Sequence, residues 1–157
     1  MSDLLTHTDF THKYRIKYPA AWTCNAISPT CTGFFSPRES PADPVAENVN
    51  VLVEEMPKSL EQWVEMQLAQ MHAVPGFQVG GVADCMVANL PARQISFSGP
   101  FGPFMANGTL TTIPLQWLST CVIKDGRGYS ITYTAEPRAY DKFMPQVQAM
   151  LDSLELS

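Results

Sequence analysis

Asp125-Gly126 lies between two runs of alternating apolar residues, "LQWLSTCVIK" before it and "GYSITYT" after it. An Asp-Gly link suits a two-residue turn in which both residues take positive φ, and such a turn joins neighbouring strands as a hairpin. Tyr129, Ile131 and Tyr133 then face one side of the second strand. The same period of two recurs elsewhere. Tyr14, Ile16 and Tyr18 alternate with Arg15 and Lys17 until Pro19 stops the strand, and Val49, Val51 and Val53 face away from Asn48, Asn50 and Glu54. A short strand is expected through "TGFFS", and further strands over residues 77–86 and in "ARQISFS", with "NLP" as the turn between them.

After Pro57 the period changes. Ser59 and Gln62 form a capping box, and Leu60, Trp63, Val64, Leu68 and Met71 recur at helical spacing, which predicts an amphipathic helix over 59–73. A second helical stripe runs through Tyr140, Phe143, Met144, Val147, Leu151 and Leu154. Pro145 interrupts it, so the helix either begins within a turn of that proline or bends there.

With 157 residues, 45% of them hydrophobic and 16% charged, the chain has a globular composition. Its length suits a single domain, expected over 14–157 after a flexible segment at 1–13. A net charge of −5 argues against a nucleic-acid partner, because binding a phosphate backbone is dominated by Lys and Arg. No apolar run approaches the ~18 residues of a membrane span, so no membrane insertion is expected. "MSDLLTHTDFTHKYR" lacks the basic and apolar regions of a secretion signal, and a cytoplasmic location is the expectation. "PRESPADPVAEN" reads as a solvent loop.

Little in the sequence suggests catalysis. There is no phosphate-binding glycine pattern, and His7, His12 and His72 belong to no metal-ligating or triad-like motif. Cys24, Cys31, Cys85 and Cys121 are scattered without a C-x-x-C, so free thiols and no metal site are expected. No cofactor is implied. Glu54, Glu55, Glu61 and Glu65 form either a solvated face or an acidic docking patch. The Asn107-Gly108-Thr109 sequon is set aside because it needs a secretory route.

"GPFGPFMANG", residues 99–108, reads as a loop too rich in glycine and proline for a regular strand. Phe101, Phe104 and Met105 within it either pack down and pin their own loop or face a partner protein.

"YRIKYPAAW", "VNVLVEE" followed by "SLEQW", "LPARQISFS" and above all "VIKDGRGYSITYTAEPRAYDKFMPQVQAMLDSLEL" together resemble the PsbP-like family. Its namesake is an extrinsic subunit of photosystem II, and its fold is shared with a Mog-type Ran-binding factor and the Eag chaperones of type VI secretion. The resemblance spans about residues 14–156, and its most specific part is the last third. There a strand leads to a Thr-Ala-Glu-Pro exit, a Tyr-x-x-Phe-x-Pro helix start and a final Ser-Leu-Glu-Leu. It implies an α+β fold, a central antiparallel β-sheet of about six strands flanked by helices on both faces in an α/β/α sandwich. It also implies a non-catalytic protein-binding module or an assembly or transport factor. No metal-binding or Ran-binding motif of the family matches residue by residue. The partner surface expected from the residues is Phe101, Phe104 and Met105, with Glu54 and Glu55. The alternative is a small-molecule carrier or enzyme with a pocket between sheet and helix, lined by Trp63, Trp117 and Tyr133.

Overall fold

Period-two alternation builds most of this molecule. The computed structural model describes residues 3–38, 46–106 and 108–157, apart from the side chains of Phe104 and Ala106, so most of the expected loop "PRESPADPVAEN" lies outside the described residues. The elements run β1 (Leu4–Asp9), β2 (Tyr14–Pro19), β3 (Thr23–Ser28), β4 (Cys31–Phe35), β5 (Asn48–Glu55), α1 (Leu60–His72), β6 (Gln78–Val87), β7 (Leu90–Ala106), β8 (Thr109–Lys124), β9 (Arg127–Ala135), α2 (Pro137–Ser153) and β10 (Glu155–Leu156).

Seven strands form the main sheet in the order β3-β4-β5-β9-β8-β7-β6, and three form a second sheet in the order β1-β2-β10. Every pairing is antiparallel. At the centre, Val49, Val51 and Val53 of β5 stand opposite Tyr133, Ile131 and Tyr129 of β9, and all six side chains are buried. Asp125 and Gly126 make the expected two-residue turn, with φ of 51° and 75°, and Lys124 pairs with Arg127 across it.

Alternate residues of one strand serve different cores. Val122 of β8 joins a large cluster with Tyr14, Ile16, Phe34, the β5–β9 row and the buried stripe of α2. Its neighbour Cys121 joins a smaller cluster with Met56, Trp63, Val64 and Ile95, which seats α1. The capping box of α1 is complete: the Gln62 amide donates to Ser59 Oγ at 3.1 Å, and the Ser59 amide donates to Gln62 Oε1 at 3.1 Å.

In three places the structure adds to or departs from the sequence reading. Pro137, two turns before Pro145, opens α2, and Pro145 lies inside a continuous helix, where it cannot donate to the Asp141 carbonyl. Residues 4–9, expected to be part of a flexible segment, form β1 and pair along β2 from Leu4–Pro19 to Asp9–Tyr14. Their side chains are mostly exposed, so no apolar alternation marks them in the sequence. The central antiparallel sheet implied by the resemblance forms, but its strand count differs and helices flanking both faces are not supported. The main sheet has seven strands, and the cover over the large cluster is α2 together with the three-stranded sheet, not helix alone.

Candidate functional site

Within the segment 99–108, expected to be a loop, residues 99–106 continue β7 into a long hairpin with β8. Gly99 pairs with Leu115, Pro100 with Pro114 and Phe101 with Ile113; a register shift follows, and pairing resumes with Phe104–Thr111, Met105–Leu110 and Ala106–Thr109. The shift sets Gly102 and Pro103 opposite Thr112, with a cis peptide bond between them and φ of 126° at Gly102. The hairpin tolerates its prolines because, among the described residues, each of its strands has one neighbour only. Pairing of β7 with β6 ends at Ser98, and pairing of β8 with β9 ends at Gln116. Beyond that line the two strands bond each other and half their amides point outward, where a missing N–H costs no ladder bond. The result is a two-stranded arm extending about 25 Å past the sheet.

Three large apolar side chains on the arm are exposed: Phe101 to 50%, Met105 to 67% and Leu110 to 64%. Met105 and Leu110 are a cross-strand pair. The arm is rooted in an aromatic stack centred on Trp117, which lies parallel to Phe97 at 5.0 Å and meets Phe77 at 5.2 Å. Phe101 meets the edge of this stack, 6.5 Å from Trp117 at an angle of 74°. Gly99 makes the root possible, since a Cβ there would collide with the Phe77 ring. Phe101 is therefore half anchored and half offered, whereas Met105 stands clear of the sheet. The Phe104 side chain lies outside the described residues, although its backbone is paired.

Glu54 and Glu55 are exposed but do not join this surface. They end β5, opposite Gly128 and Arg127, at the end of the sheet remote from the arm. From Arg127 to Ala135, which pairs with Gln116 at the arm's root, β9 spans roughly 26 Å. Glu61 and Glu65 are exposed on α1. The expected partner surface thus divides into an apolar arm at one end and acids at the other.

The residues proposed for a pocket are also separated. Trp63 is buried in the small cluster, Tyr133 in the large one, and Trp117 in the aromatic root, so the three line no common cavity. One open hollow of about 650 Å³ lies elsewhere, between the start of α1 (Ser59, Leu60, Glu61) and β6–β7 (Asp84, Met86, Arg93). Among the described residues no group of three or more His, Cys, Asp or Glu could hold a metal ion. All four cysteines are free thiols, each with its pKa pushed up by burial. No described helix is long and apolar enough to cross a membrane.

Sequence reasoning missed Leu110, Ile113 and the Phe77–Phe97–Trp117 root as parts of the surface. The signal was present in "TLTTIPLQW", whose apolar residues continue the strand pattern of β8 backwards, but it has meaning only once 99–106 is paired with it.

No protein-family model and no curated protein sequence matches the chain. Solved structures do. Cyanobacterial PsbP (CyanoP) from Synechocystis sp. PCC 6803 is similar over 100% of this chain and 94% of its own, with a TM-score of 0.67 at 14% identity. The Saccharomyces cerevisiae Ran-binding protein Mog1p is similar over 99% of this chain and 96% of its own, with a TM-score of 0.62 at 10% identity. LpqN, involved in cell envelope biogenesis of Mycobacterium tuberculosis, is similar over 99% of this chain and 85% of its own, with a TM-score of 0.62 at 13% identity. With two packed antiparallel sheets, two helices and these neighbours, the chain has the PsbP-like fold.

Proposed function

We propose that this protein is a non-catalytic binding module or assembly factor that engages a protein partner through the arm formed by β7 and β8. The observation that carries this reading is the exposure of Phe101, Met105 and Leu110 on a hairpin that projects beyond the sheet. Aromatic residues and Met are enriched at the buried centres of protein interfaces, and a two-stranded arm presents them without disturbing the core. The fold adds support of a different kind, because a Ran-binding protein shares it. Phe104, whose backbone pairs with Thr111, is included in this reading. Glu54 and Glu55 form a separate acidic patch on this reading, suited to a basic segment of a large partner that reaches both ends of the sheet.

The test is the double variant Phe101→Ala with Met105→Ala. Half-exposed side chains leave little burial to lose, so the unfolding free energy should fall by less than about 1.5 kcal/mol. A protein recovered with the tagged wild-type chain should be lost with the variant. Recovery unchanged, together with a large loss of stability, would return these residues to the role of holding their own hairpin.

A further inference from the structure

We propose that the outer edge of β6 is a second docking site, which takes an extended peptide segment of a partner as an eighth strand of the main sheet. β6 is the last strand in the order, bonded to β7 on its inner side, and no strand among the described residues pairs with its other side. About half of the ten residues of β6 therefore turn their N–H and C=O groups outward, and such an unpaired row is a template for another strand.

The other free edges of the main sheet are blunted and this one is not. β3, the opposite edge, has six residues and an irregular register between Ala26 and Ser28. The arm carries Pro100, Pro103 and Pro114, each of which removes a donor. β6 has no proline and a single charged residue, Asp84. Its own register shift lies between Val79 and Gly81, so Val82–Val87 pair in unbroken succession with Ile95–Leu90. That regular stretch is long enough to align a partner strand.

The side chains specify the partner's chemistry. Val82, Asp84 and Met86 project to the same side of β6 as their partners Ile95, Arg93 and Pro91, the side on which α1 is seated. Val82 and Met86 are exposed, and Asp84 between them is 86% exposed although one of its oxygens lies 3.0 Å from Arg93 Nε. Glu61 lines the same 650 Å³ hollow, so two carboxylates there face one guanidinium. An incoming strand that reads apolar, basic, apolar on this side would set its cation against Asp84 and its apolar groups against Val82 and Met86. This edge is separate from the arm, so a failure here leaves the arm assay unaffected.

The probe is a short capped peptide whose one face reads valine, lysine, valine and whose other face is threonine, titrated into the full chain. Saturable shifts of the backbone amides of residues 82–87 and slowed hydrogen exchange along that edge are expected. Methylating the peptide's backbone nitrogens along one edge should weaken binding by on the order of tenfold, and methylating the other edge should not. Of Ala83→Pro and Asp84→Pro, one loses an inward and one an outward N–H. The variant that keeps its unfolding midpoint has lost the outward one, and it should bind the peptide about tenfold more weakly. The proposal is overturned if the shifts map elsewhere, if binding ignores both methylation patterns, or if the peptide does not bind. A concentration-dependent dimer abolished by the same proline variant would overturn it too, by giving the edge to a second copy of the chain.

Discussion

Two tyrosines hold their hydroxyls inside the fold, and this couples stability to alkaline pH. Burial pushes the Tyr14 hydroxyl up to about 12, with a hydrogen bond to Thr32 working against the shift and the charges of Asp9, Cys24 and Cys31 adding to it. Tyr133, which donates to the Tyr140 carbonyl at 2.7 Å, is raised further, by burial first and then by Tyr140, Glu47 and Asp141. The native state thus keeps protons that an unfolded tyrosine releases near pH 10. Their contribution is complete below pH 10 and is lost as pH rises through the native values. Urea unfolding across the alkaline range should show stability falling above about pH 10, with a shallower fall in Tyr14→Phe; an unchanged slope in that variant would refute the assignment. Cysteine reactivity follows the same logic of burial. Cys121 is fully buried, accepts from Gln67 Nε2 at 3.1 Å and has its thiol pKa raised by burial, whereas the other three cysteines are only partly buried. A thiol reagent should label Cys24, Cys31 and Cys85 before Cys121 in the native protein, and all four in denaturant. Early labelling of Cys121 would show that the small cluster opens.

Elements were legible in proportion to how fully one face is buried. The stripe of α2 is visible in the sequence because Phe143, Val147, Leu151 and Leu154 all enter one core, and the strand β5 because its valines do. Val147→Asp should therefore cost about 3 kcal/mol or more in denaturant unfolding, the scale of a buried unpaired charge; an unchanged midpoint would contradict the packing of α2. β1 was illegible because ladder bonds to β2, and not an apolar face, hold most of its length. The arm was illegible for a related reason. The rule that glycine and proline break strands applies to strands bonded on both sides, and Pro100, Pro103 and Pro114 lie where each strand has one neighbour. Half of the candidate site, Phe101 and Met105, could be named from composition, but their Leu110 partner and Trp117 root required the register.

Across the whole molecule, the last residues tie the two sheets together. The Ser157 amide donates to the Lys13 carbonyl at 2.9 Å, Lys124 Nζ to the Leu156 carbonyl at 3.1 Å and Arg127 Nη2 to the Ser157 oxygen at 2.9 Å, while Arg15 pairs with Glu155 at 2.8 Å. The Arg15–Glu155 pair is more than half exposed and adds little. Removing residues 155–157 should therefore cost about 1 to 3 kcal/mol, mainly through the lost backbone bonds, and should speed amide exchange at Tyr14 and Arg15; exchange unchanged there would mean that β10 holds nothing. The resemblance to the PsbP-like family carried the fold at this scale, since spacing cannot reveal that β5 pairs with β9 and not with β6. That pairing sets a timetable for the growing chain. Val51 meets Ile131 only after about 80 further residues have been made, on the order of ten seconds at typical rates of synthesis. Through that interval the valine face of β5 waits without its cover, and the two halves of the main sheet stay apart until the final third arrives. A newborn chain therefore holds open, for those seconds, an apolar face that the finished molecule buries.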